Sequence, residues 1–82
     1  MWSEGTIRIP DARDKDKTTV CHYWLKHYDE PSEVYGINGG RISKLTIKVD
    51  GRITSNYEKG CDIQPADEPT WLAYCILLND YN

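Results

Sequence analysis

Three cysteines and two histidines in a chain of 82 residues are the side chains with the most chemistry to offer. Cys21, Cys61 and Cys75 with His22 and His27 could ligate zinc, or a Cys/His pair could act as an activated nucleophile. Spacing constrains both. Cys21 and His22 are adjacent, and on a strand adjacent side chains point to opposite faces, so they make no nucleophile–base pair without a bulge. The carboxylates lie in charged loops and at a helix start, which does not set up a general acid/base pair. The chain reads as non-enzymatic. Cys21 and His27 are six residues apart, roughly 20 Å on a straight strand, so they cannot both ligate one ion. A zinc site would be Cys21, Cys61 and Cys75 with His22 admitted by a bulge, or Cys61 and Cys75 with His27. There is no Cys-x-x-Cys knuckle, and buried unligated thiols are the commoner state of cysteine. A structural zinc is carried as the alternative because so small a core gains much from one.

Binding chemistry is offered by charge and by rings. Residues 1–61 carry ten bases and nine acids, whereas residues 62–82 carry Asp62, Asp67, Glu68 and Asp80 with no Lys or Arg. With a net charge of −3, the chain lacks the basic stripe of a general phosphate-backbone binder, and its acidic end suits a basic protein surface. A solvated acidic face that complements a helix dipole is the plainer account. Trp2, Trp24, Tyr28 and Tyr35 exceed what a thin core needs, and with Arg41 they have the composition of an interface. They could equally cover the second face of a sheet. Base stacking finds little support along the chain, because Lys26 and Arg41 are the main bases among these rings. A nucleic-acid-associated or regulatory module would instead use Arg41, Lys44, Lys48 and Arg52 on one side of a hairpin. The segment Gly36-Ile37-Asn38-Gly39-Gly40-Arg41 has the glycine density of a phosphate loop, but it lacks the Gly-Lys-Ser/Thr ending and leads into a strand. Turn formation is favoured there, with a small anion nest of amides and Arg41 as the alternative.

The elements that must position these groups are few. Eighty-two residues make one domain, 1–82, and a 39% hydrophobic content with three Trp and six Tyr is enough to fold it. Thr6 to Ile9 alternates and stops at Pro10, a short edge strand. Thr18 to Tyr28 is β-branched and aromatic, a long strand with Val20, His22, Trp24, Lys26 and Tyr28 on one face and Cys21, Tyr23, Leu25 and His27 on the other. Asp29 to Gly40 is a loop. Ile42 to Tyr57 is a hairpin. A three-residue loop Val49-Asp50-Gly51, with Gly51 left-handed, pairs Lys48 with Arg52 and gathers Leu45, Ile47, Ile53 and Tyr57 on one face. Asp67 N-caps the one helix, whose core stripe is expected to be Trp71, Leu72, Cys75 and Leu78 with Ile76 alongside. The expected fold is α+β, a four-stranded antiparallel sheet with one C-terminal helix packed across it (ββββα). No signal peptide or membrane-length apolar run is evident, so a cytosolic protein is expected.

Glu30-Pro31-Ser32-Glu33, Tyr35-Gly36-Ile37, Gly39-Gly40-Arg41-Ile42-Ser43-Lys44-Leu45 and Asn56-Tyr57-Glu58-Lys59-Gly60 with Asp62 form a distinctive string covering under half the chain. It resembles a family of small, functionally uncharacterised proteins of Gram-positive bacteria and their phages. Two departures stand out: Val34 is inserted before Tyr35, and Cys61 stands where that family tends to have Trp. What the resemblance implies is a mobile-element protein acting in the host cytoplasm, of the kind that binds and blocks a host machine. Inhibitors of CRISPR nucleases are one such class. The expectation is therefore a counter-defence interaction protein that docks on a nuclease complex through Asp62, Asp67, Glu68, Asp80, Trp24, Tyr35 and Arg41.

Overall fold

A computed structural model describes residues 1–11, 13, 14, 16–58 and 60–82, with the backbone alone of Cys61. Among the described residues five strands, β1 (Trp2–Pro10), β2 (Thr18–His27), β3 (Ile42–Val49), β4 (Arg52–Glu58) and β5 (Cys61–Ile63), precede one α-helix, α1 (Glu68–Tyr81), and a single 3-10 turn, Ile37–Gly39, lies between β2 and β3. The strands form a single sheet in chain order, each antiparallel to the next. The expected α+β class holds, with five strands in place of four. The fifth, β5, is three residues long, and just before it Glu58 N–H donates to Gly60 O at 3.0 Å. So short a strand has no alternation to read.

Pairing also lengthens β1 beyond the alternating tetrad. The register from Trp2↔Lys26 to Pro10↔Thr18 recruits Ser3, Glu4 and Gly5, residues of low strand propensity, because the ten-residue β2 supplies a ladder for them.

The β3–β4 turn differs from expectation. Asp50 (φ 52°) and Gly51 (φ 77°) both occupy the left-handed region, the requirement of a two-residue type I′ turn. Val49 therefore pairs with Arg52 and Lys48 with Ile53, and Ile53 is left 47% exposed. The turn's twist matches that of the strands, and this outweighs burial of one isoleucine. A bulge between Lys48 and Ile47 then restores the alternation, so that Ser55 and Tyr57, opposite Ile47 and Leu45, point inward.

The helix covers one face only. Ile9, Cys21, Leu25, Ile42, Leu45, Ile47 and Val49 of the sheet, with Ile37 of the loop before β3, pack against Ala73 and Leu77 of α1. Tyr74, Leu78 and Tyr81 close the edges of this core. The inner stripe is thus Thr70, Ala73 and Leu77, not the expected Trp71, Leu72 and Cys75, which lie exposed. The helix is apolar on both sides, so periodicity alone could not orient it. The N-cap does. Asp67 Oδ2 accepts from Thr70 N–H at 3.0 Å and from Thr70 Oγ1 at 2.7 Å, and the Thr70 hydroxyl lies 2.8 Å from Thr54 Oγ1 on the sheet. With Thr70 facing the sheet, Ala73 and Leu77 follow at helical spacing, and the small Ala73 permits close approach.

Candidate functional site

The thiols and imidazoles are dispersed. Cys21 is 1% exposed under the start of α1, where its S–H donates to Pro69 O at 3.7 Å. Burial, and then the charge of Asp67, push its pKa up. Both causes favour the protonated thiol over the thiolate. His22, next along β2, is on the opposite face of the sheet, and Cys75 is on the far, exposed side of the helix. His27 packs its ring 5.2 Å from that of Tyr81. The side chain of Cys61 lies outside the described residues. Among the described residues no three His, Cys, Asp or Glu side chains gather as a metal site. Of the expected set Cys21, Cys61, Cys75 and His22, the three described members Cys21, Cys75 and His22 are not brought together, because strand alternation and the helix's orientation point them in different directions.

The acids are dispersed as well. Asp67 is committed to the helix cap. Glu68 occupies the first turn of α1 and Asp80 the last, about 18 Å apart along the axis at 1.5 Å per residue. Asp62 accepts from Asn56 Nδ2 at 3.2 Å at the rim of the uncovered sheet face. These four do not share one face.

The glycine segment is structural. Gly36, Gly39 and Gly40 amides bond Ser32, Gly36 and Ile37 carbonyls, and the Asn82 side chain is seated against the loop. Asn82 Nδ2 donates to Ile37 O and its Oδ1 accepts from Ile42 N–H, both at 2.9 Å. A Cβ on Gly40 would collide with that amide, which is why glycine stands there. The amides of an anion nest are largely spent on this clasp. Of the expected contact residues nearby, Arg41 is exposed, and Tyr35 is tied to the scaffold through Tyr57 Oη–H donating to its carbonyl at 3.2 Å.

Two uncovered surfaces remain. The first is the outer side of α1, where Trp71, Leu72 and Ile76 are 51%, 39% and 41% exposed beside Cys75. Next to it Trp71 and Tyr74, stacked at 5.7 Å, line a groove of about 360 Å³ with Ile37, Tyr57 and Pro65. The second is the sheet's outer face. The register sets Trp2, Lys26, Lys44 and Glu58 in one row, Glu4, Trp24, Thr46 and Asn56 in the next, and Thr6, His22, Lys48 and Ile53 in a third. His22 and Trp24 stack at 4.3 Å and 10°. Lys48 Nζ lies 5.4 Å from the Trp24 ring, and Lys26 and Lys44 lie 5.9 and 6.0 Å from that of Trp2. Of the contact residues expected from the sequence, Trp24 is on this face and Asp62 at its rim. The companions Lys44 and Lys48 are remote from Trp24 in sequence, and strand register is the signal that finds them.

A family model described as a domain of unknown function, DUF7678, matches residues 1–82. The chain belongs to this family. No curated protein and no solved structure matches it. Among the described residues no helix is long and apolar enough to cross a membrane. What these surfaces can do is bind: the helix side by removing apolar area from water, the sheet side by stacking and charge.

Proposed function

We propose that the protein is a non-enzymatic interaction module that docks on another protein through the outer surface of α1. The observation that carries this reading is the uncovered apolar strip of Trp71, Leu72 and Ile76 on a helix already buried on its other side. A helix that faced only water would carry charge at those positions. Exposed apolar strips of this kind, rimmed by polar residues, mark interaction sites, and a tryptophan beside a groove is the usual anchor of one. Glu68 and Asp80 at the two ends of the strip favour a partner with basic groups around an apolar centre.

In the specific form that the resemblance implies, the partner is a host defence complex such as a CRISPR nuclease, blocked in the cytoplasm by a phage or prophage protein. Small size and net acidity support that form. The test is affinity capture by the tagged protein from lysate of a bacterium carrying CRISPR and other defence systems, with mass spectrometry, in parallel with a Leu72→Asp/Ile76→Asp variant. Capture of a nuclease or defence complex by the parent and not by the variant is expected. Equal capture by both would remove the helix surface from the reading, and capture of nothing specific would remove the protein partner.

A further inference from the structure

We propose that the outer face of the sheet is a platform for single-stranded nucleic acid, with bases stacked on Trp24 and Trp2 and phosphates held by Lys26, Lys44 and Lys48. This goes beyond the helix surface and does not rest on it. Along the chain the bases and rings look poorly matched. Strand pairing changes that, because β3 brings Lys44 beside Lys26 and Lys48 beside His22.

Charge on this face is arranged in bands. Its acids stand on the flanking strands, where Glu4 of β1 faces His22 at 3.6 Å, Glu58 of β4 pairs with Lys44 at 3.3 Å, and Asp62 of β5 takes a hydrogen bond from Asn56. The outward positions of the central strands are Thr18, Val20, His22, Trp24 and Lys26 on β2, and Lys44, Thr46 and Lys48 on β3, without one carboxylate. A positive strip therefore runs along β2 and β3 around Trp24 and beside Trp2 of β1, in a chain whose net charge is −3.

The rings are presented for stacking. His22 and Trp24 are parallel at 4.3 Å, a stack that a base can extend, and Trp2 is 60% exposed in the neighbouring row. Stacking on exposed aromatic side chains of a sheet, with cations beside them for the backbone, is how single strands are held without sequence reading. A duplex hides the faces of its bases, and three lysines make too short a stripe to hold its backbone.

The test is fluorescence anisotropy of labelled oligo(dT) and oligo(U) of about 12 nucleotides, within the site sizes of such platforms. Binding is expected, with log Kd rising against log salt at a slope of at most about 2, three lysines at about 0.7 each. Trp24→Ala should weaken binding about tenfold, the loss of one stacked base. Lys48→Gln should lower the salt slope by about 0.7, and this second variant stands if Trp24→Ala proves misfolded by its thermal transition. No binding at about 100 μM protein in low salt would overturn the proposal. So would equal affinity for a duplex of the same length, or unchanged affinity and slope in the folded variants.

Discussion

The outer side of α1 and the outer face of the sheet are both exposed and both carry tryptophan, yet they differ in what surrounds the ring. Around Trp71 the helix offers Leu72, Cys75 and Ile76, and α1 has no Lys or Arg at all. Around Trp24 the sheet offers His22, Lys48 and Glu4. Apolar side chains beside a ring are gained back by a partner only through dehydration, which is insensitive to salt and favours a shaped protein surface. Lysines beside a ring interact through charge and stacking, which salt weakens. The same residue type thus signals different partners according to the element that presents it.

The largest effect should come from removing what the two surfaces share. Leu25 sits at the centre of β2 and is 0% exposed. Leu25→Ala should destabilise the protein by about 2–5 kcal/mol, a large part of the stability of so small a domain, as read from denaturant midpoints. Both binding activities should decline together with the folded fraction. Retention of one after loss of the cooperative transition would show that the surfaces do not depend on one scaffold. The next effect is selective. Leu72→Asp/Ile76→Asp should abolish capture through the helix, leave oligonucleotide binding intact, and change stability by only about 0.5 kcal/mol per site, since both positions are exposed. A large drop in midpoint would mean that the strip is supporting the core, and that it is not free for a partner.

A smaller and more local effect is expected from Asn82→Ala. The change removes two hydrogen bonds from the loop that carries Ile37, leaving the Ile37 carbonyl and the Ile42 amide without these partners. A loss of about 1–3 kcal/mol follows. The groove beside Trp71 includes Ile37, so capture should weaken more than oligonucleotide binding, a ratio that parallel titrations would read.

Much of this architecture was legible beforehand, and where it was not the reasons are physical. Strand alternation placed Cys21 and His22 on opposite faces, and the Asp67 cap located the helix start. The facing of α1 was hidden because its residues are apolar on both sides, so the polar Thr70, excluded from a naive core, is the residue that turns inward. The hairpin register is hidden because burial of Ile53 and turn geometry point to different pairings, and the left-handed Asp50-Gly51 backbone decides for the turn. The two faces divide along the same line. Trp24 was visible as a contact residue, but Lys44 and Lys48 become its neighbours only through pairing over twenty residues of chain. The acidic residues, conspicuous as a run without bases, are separated by the length of a helix and by a committed cap.

The smallest effect concerns the layer between the two surfaces, and its sign follows from two protons. Tyr23 has its pKa raised first by a hydrogen bond with Tyr81 of α1, then by burial and by the charges of Tyr81 and Asp80. Cys21 is raised by burial and by Asp67. Each group keeps its proton in the fold at a pH where the unfolded chain has begun to lose it, from about the ordinary values of 9.0 for the thiol and 10.0 for the phenol. Their stabilising share is whole below those values and shrinks as pH rises toward the raised ones, because the unfolded chain then gains by releasing protons that the fold retains. The thermal midpoint should therefore fall as the pH rises past about 9, and Tyr23→Phe should flatten the fall, since phenylalanine keeps the ring without a titrating hydroxyl. An identical fall in that variant would remove Tyr23 from the alkaline loss and leave Cys21 as the contributor from this layer.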